Sequence, residues 1–183
     1  MNVTKKSIWL AFIFLVLALL ICIFSKALLQ QTVVDKSSLP TFIATDTDMT
    51  IYNLEGKIDK TMVATKTTYY DSKNKYFFDN PLISRYVYDK SNINLWHLKG
   101  NKGDMVVNKN ATIFGNVILY PGFEDATLQK VEATELFYDF KDNLVTSDKL
   151  VTIYGKGFKT QGTIFSVDLN TNVIKYKGQP NAI

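Results

Sequence analysis

The apolar positions of the chain fall into two regimes. Residues 8–24 form an unbroken apolar run, whereas beyond Pro40 no ten-residue stretch keeps a 3.6-residue apolar period. What recurs there is alternation between clusters of turn residues, the period-2 signature of sheet. It predicts strands over residues 41–53, 57–70, 75–88, 93–98, 105–120, 131–140, 145–154, 158–169 and 173–177, rich in Tyr, Phe, Val, Ile and Thr. Turn residues predict breaks at 55–56, 71–74, 89–92, 100–104, 121–125, 141–143, 155–157 and 170–172. The chain from residue 41 onward is therefore read as all-β. One stretch alternates poorly. Ala111, Ile113, Gly115, Val117 and Leu119 share one face, yet Thr112, Phe114, Asn116, Ile118 and Tyr120 on the other are also largely apolar. A strand with one wet face alternates more cleanly. The expectation is a strand covered on its outer side, or an apolar inner channel with a buried exterior contact.

The apolar run reads as a helix. With its flanks, residues 7–29, it reaches the roughly 20 residues needed to cross a hydrocarbon core. Trp9 lies near one end, where an indole favours the water–lipid boundary, and Lys5 and Lys6 precede the run with no acid until Asp35. Positive flanks stay cytoplasmic, which predicts residues 1–6 inside, a transmembrane helix at 7–29, a polar connector at 30–40 and an exported domain at 41–183. A cleaved signal peptide is the alternative, since Ser25-Lys26-Ala27 loosely resembles a small-x-small site. The run exceeds the usual apolar core of such a peptide, and Lys26 fits cleavage poorly. Either reading exports the chain beyond residue 30. Cys22 lies inside the run and is the only cysteine, so the exported part has no disulfide.

Charge changes the picture once. A net +4 suggests nucleic acid, but Lys5, Lys6 and Lys26 flank the apolar run, leaving 18 basic residues against 17 acids beyond it. No basic stripe remains, and nucleic acid is set aside as a partner. Candidate chemistry is thin. His97 is the one histidine and cannot make an ordinary zinc site alone. Asp46 and Asp48 share a strand face without calcium-loop spacing, and Glu132 and Glu135 face opposite ways. Neither a phosphate-cradling glycine loop nor a nucleophile elbow is present. Arg85 and the scattered lysines suggest no cluster. The reading is a non-enzyme without cofactor or metal.

Particular residues then become informative. The segment Thr47-Asp48-Met49-Thr50-Ile51-Tyr52-Asn53-Leu54-Glu55-Gly56 resembles the first strand and turn of the lipopolysaccharide export protein family LptC. Lys66 to Tyr70, Tyr76-Phe77-Phe78-Asp79-Asn80-Pro81, Trp96-His97-Leu98-Lys99-Gly100, Ile113-Phe114-Gly115-Asn116-Val117, and Val145 through Gly155 are similar to later blocks, in order, over residues 1 to about 178. The resemblance implies an open, twisted β-jellyroll in the periplasm behind one inner-membrane helix, with edges that stack on like-folded partners. It implies acceptance of lipopolysaccharide from the inner-membrane ABC transporter (LptB, LptF, LptG) and delivery to the periplasmic bridge protein LptA. The family's anchor helix also packs against the transporter and modulates its ATPase cycle. Thr47 and Phe78 match positions facing the lipid path, and alternation adds Ile51 and Met62. Gly56 and Gly155 match turn glycines, required by a positive φ or a close strand approach. The strand containing Val173, Ile174 and Tyr176 is the expected edge for the bridge protein, and residues 41–53 the edge nearer the transporter. The competing reading is a membrane-tethered scaffold that recruits β-jellyroll partners without carrying lipid.

Overall fold

A computed structural model describes residues 3–30, 39–89, 92–124, 126–178 and 180–181. The connector positions 31–38 and turn residues 90, 91 and 125 lie outside the described residues. The chain divides into two compact units, Met1–Leu39 and Pro40–Ile183.

The first unit is one helix, α1 (Val3–Gln30). Its side chains are described at Trp9 and over 12–26, where large apolar residues from Phe12 to Phe24 are exposed. The flanking Lys5 and Lys6 side chains fall outside that stretch. Among the described residues no helix is long and apolar enough to cross a membrane.

The second unit contains thirteen antiparallel strands among the described residues. They are β1 (Phe42–Tyr52), β2 (Ile58–Tyr70), β3 (Lys75–Asp79), β4 (Leu82–Tyr88), β5 (Ile93–Lys99), β6 (Lys102–Val106) and β7 (Asn110–Pro121). Then come β8 (Leu128–Asp139), β9 (Leu144–Ser147), β10 (Val151–Gly155), β11 (Phe158–Asp168), β12 (Val173–Lys177) and β13 (Pro180–Asn181).

The long strands serve two half-sheets each. The first half of β2 pairs with β4, and its second half with β3. The first half of β7 pairs with β6 and its end with β5. β8 divides its edge between β10 and β9, and β11 does the same. One half-sheet thus runs through β4, β5 and β10, and the other through β3, β6 and β9. Three of the long strands change half-sheet at left-handed residues. Asp46 (φ 51°) interrupts β1, Gly115 (76°) and Asn116 (50°) interrupt β7, and Ile164 (54°) interrupts β11. The registers of β7 and β11 shift at these points, as bulges that re-aim a strand do.

The half-sheets enclose one apolar core. Ile113, Leu119, Val131, Leu136, Val145 and Val167 are wholly buried in it. In β7 the buried residues are Ala111, Ile113, Val117 and Leu119, while Thr112, Phe114, Ile118 and Tyr120 are half-buried. The outer side of the strand is thus half-buried, less than the full cover that either expectation asked for.

Several predicted strands prove to be pairs. The stretch 75–88 breaks at Asn80 (φ 50°) and Pro81, whose ring removes a ladder donor. The stretch 145–154 divides at 148–150. Residues 100–104, read as a turn, include the start of β6. The glycines misled: a Cβ at Gly100 or Gly103 would lie 2.6 or 2.7 Å from the side chain of Ile113. They are small because a core residue occupies the space, not because the chain turns there.

Candidate functional site

β1 stands at the edge of the sheet and pairs, among the described residues, with β2 alone. Its register places Thr47 opposite Ala64, Met49 opposite Met62 and Ile51 opposite Lys60. Ala64 and Met62 belong to the core, so Thr47, Met49 and Ile51 share the inward face. Beyond the left-handed Asp46, Ala44 and Phe42 continue that face opposite Thr67 and Tyr69. β3 adds Phe78 opposite Thr67 and Tyr76 opposite Tyr69.

All four predicted lining residues, Thr47, Ile51, Met62 and Phe78, thus lie on one face. Their depth differs. Met62 and Phe78 are 4% and 2% exposed, whereas Thr47 and Ile51 are half-buried at the open edge. Thr47 and Phe78 meet through Thr67. The Thr47 and Thr67 hydroxyls are 2.5 Å apart, and Thr47 Oγ1 also donates to the Ala64 carbonyl. Ile51 lies farther along, beside Lys60 and away from Phe78. An aromatic cluster completes the face: Tyr69 and Tyr76 have ring centroids 4.4 Å apart, with Phe42 against both and Phe78 stacked on Tyr76.

At the opposite edge β12 pairs with β11, Ile174 facing Val167. Ile174 and Tyr176 are half-buried against the core, and Val173 points outward and is exposed. The two predicted glycines differ in kind. Gly56 has φ 76° with no atom within 4 Å of a Cβ, so the backbone conformation alone selects it. Gly155 has no positive φ. A Cβ there would meet the Phe158 ring at 1.9 Å.

The structure also assembles what the sequence left scattered. Lys60 Nζ lies 2.7 Å from the Asp59 carboxylate, which also pairs with Arg85, and all three side chains are less than a fifth exposed. The expectation that Arg85 and the lysines form no cluster is corrected, because the β2–β4 pairing sets Lys60 directly opposite Arg85. A signal was present: Arg85 keeps phase with Ile83 and Val87, and Lys60 with Met62 and Ala64, charges on an otherwise apolar face. Arg85 Nε donates to Asn143 Oδ1 at 2.9 Å, and Tyr138 donates to the same oxygen at 3.1 Å. Burial pushes the Tyr138 hydroxyl well above its ordinary pKa.

The remaining polar groups act within the fold. Ser84 and His97 Nδ1 are 2.9 Å apart across β4 and β5, and His97 stacks on Tyr120. Glu132 accepts from Lys130 and Tyr154, whereas Glu135 pairs with Lys149, so the two acids take different partners. Among the described residues no three metal-binding side chains gather.

Residues 10–182 match the family model described as lipopolysaccharide-assembly, LptC-related. The chain belongs to the LptC family. It is 27% identical over 132 residues to the lipopolysaccharide export system protein LptC of Escherichia coli K12, covering 72% of this chain and 68% of the relative. The same protein of Haemophilus influenzae is 24% identical over 161 residues, covering 80% and 77%. The LptC match extends across nearly the whole chain, so both β1 and β12 lie within it. LptC is a component of the lipopolysaccharide export system and not a known enzyme family.

Proposed function

We propose that the chain is a non-enzymatic carrier of lipopolysaccharide in the inner membrane. Residues 7–29 anchor it with the N-terminus cytoplasmic, and 41–183 form an open β-jellyroll in the periplasm behind the connector 30–40. It accepts lipopolysaccharide from the ABC transporter containing LptB, LptF and LptG and passes it to LptA. One observation carries the reading: Thr47, Ile51, Met62 and Phe78 share an inward apolar face that reaches the unpaired β1 edge. An acyl chain needs such a face, and an unpaired edge offers a like-folded partner its backbone hydrogen bonds. β12 supplies the corresponding edge at the other end.

The scaffold reading has an observation of its own. A cavity of about 10 Å³ lies within the core, room for about one water and no lipid chain. Photo-crosslinking in intact Gram-negative cells separates the readings, with the photoreactive residue placed at Ile51 and, separately, at Phe78. A lipopolysaccharide adduct that requires ATP-driven export supports the carrier; adducts to protein partners alone support the scaffold. Substitution sharpens the test. Ile51→Asp puts a carboxylate at the half-exposed edge beside Lys60 and is expected to lower lipid capture in a folded protein. Phe78→Asp buries an unpaired charge and is expected to destabilise the fold itself.

A further inference from the structure

Two spaces in this molecule share one wall. A small apolar cavity of about 10 Å³ is lined by Ile83, Trp96, Leu98, Leu119 and Tyr138, together with Arg85. An open polar groove of about 530 Å³ is lined by Asn53, Lys57, Asp59, Tyr86 and Asn170, again with Arg85. Arg85 alone lines both.

Arg85 is held in that wall from the opposite half-sheet. Its Nε–H bonds Asn143 in the β8–β9 turn, while Nη1 donates to the Asp59 and Tyr86 carbonyls and pairs with the Asp59 carboxylate. Trp96, directly across from Arg85 on β5, donates its indole N–H to Asn172 in the β11–β12 turn at 3.2 Å. The two turns are built alike. Asp139 and Asp168 each accept two backbone N–H groups from the next few residues. Four residues after each aspartate stands an asparagine in the left-handed region, Asn143 (φ 52°) and Asn172 (φ 61°). At this end, two turn asparagines thus clasp a cross-strand Arg–Trp pair.

We infer that Arg85 is a gate, and that its withdrawal into the groove joins groove and cavity into one path for the acyl chain of a lipid. The inference rests on the carrier reading above. Deeper between the half-sheets the core is apolar, and water cannot replace its contacts. Here the half-sheets are closed by hydrogen bonds at a wet margin, where Asn172 is exposed and Asn143 half-buried. Water can take over such bonds at small net cost. The long arginine stem lets the guanidinium swing outward. Asp59 is not stranded by that motion, because Lys60 stays against it.

The test uses the full chain in lipid nanodiscs with palmitic acid carrying a diazirine, and mass spectrometry to locate the label. Wild type is expected to label on β1 around Thr47 and Ile51, and weakly on peptides carrying Leu119 and Val145. Arg85→Ala and Asn143→Ala are each expected to raise the interior label about tenfold, the order that one lost hydrogen bond from a charged group carries. Arg85→Lys keeps the charge but loses the Nε donor, and is expected to fall between. Should Arg85→Ala fail to fold, Asn143→Ala decides. Label on β1 with no interior gain in a folded variant overturns the gate and leaves the carrier standing. No label at either place overturns the carrier reading, and the gate with it.

Discussion

The ring of Phe158 fills the space that a side chain on Gly155 would need. The two residues are cross-strand partners at the end of the β10–β11 hairpin, and a Cβ on Gly155 would sit 1.9 Å from the ring. Phe158 packs against the core, so the ring cannot retreat freely. Gly155→Ala is expected to destabilise the protein by about 2–3 kcal/mol through overpacking. Gly56→Ala meets no atom and pays only for its left-handed backbone, about 1–2 kcal/mol. Urea denaturation of the two variants checks the order. Equal losses would mean that Phe158 yields to the added methyl.

Thr47 and Thr67 make a second pair with a measurable coupling. Thr67 is 1% exposed, and its hydroxyl partner is Thr47. Thr47→Val leaves that hydroxyl buried and unpaired, with an expected loss of about 1–2 kcal/mol despite nearly equal volume. Replacing both residues by valine removes the orphan and is expected to restore most of the loss. A double-mutant cycle on thermal or urea midpoints reads the coupling directly. Additive losses would show that the pair is not a hydrogen-bonded unit.

His97 predicts a pH dependence. Burial lowers its pKa below the ordinary value near 6.5. Above that value the ring is neutral whether folded or unfolded, and stability is complete. As pH falls through it, the unfolded chain takes up a proton that the folded protein resists, so stability declines. The melting temperature is expected to be lower at pH 5.5 than at pH 7.5, with a smaller difference in His97→Gln. Glu132, held below its ordinary range by hydrogen bonds from Lys130 and Tyr154, adds a separate loss at more acid pH. An unchanged pH 5.5–7.5 difference in His97→Gln would remove His97 as its origin.

The C-terminal edge separates docking from folding. Ending the chain after Asn172 removes β12 but keeps all of β11 and the Trp96–Asn172 bond. That variant is expected to melt cooperatively and to lose LptA capture in a pull-down. Ending it after Gly162 also removes Phe165, Val167 and Leu169, each 2% exposed or less. At about 1.5–3 kcal/mol per buried side chain, the three together remove about 5–9 kcal/mol, comparable with the whole stability of an ordinary domain, and the truncation is expected to unfold the protein. Capture of LptA by a folded chain ending at Asn172 would move the docking edge away from β12.

Much of the β architecture was legible along the chain. Alternation found the two edge strands within a few residues: residues 173–177 alternate without a break, and β1 does so from Thr47 onward, past the left-handed Asp46. It failed inside the long stretches that change half-sheet. Residues 75–88 keep one apolar phase through Asn80-Pro81, since both pieces bury the same side, and only the pairing of β3 with β6 and β4 with β5 shows two strands. Residues 100–104 failed for the opposite reason: glycine marks a turn in sequence, and here it makes room for Ile113.

The sequence itself carried the apolar helix, the all-β character, the family and the candidacy of Thr47, Ile51, Met62 and Phe78, two from the family motif and two from alternation. These come from local periodicity and motif, which neighbouring residues carry. Tertiary structure alone decided how deep each of the four lies, and that Gly56 and Gly155 are glycines for different reasons. It alone brought Arg85 to Asn143, 58 residues away, and Trp96 to Asn172, 76 away. Such contacts depend on how two half-sheets close over one another. That closure is set by the summed burial of the core and by left-handed residues such as Asp46 and Ile164, which no local pattern records.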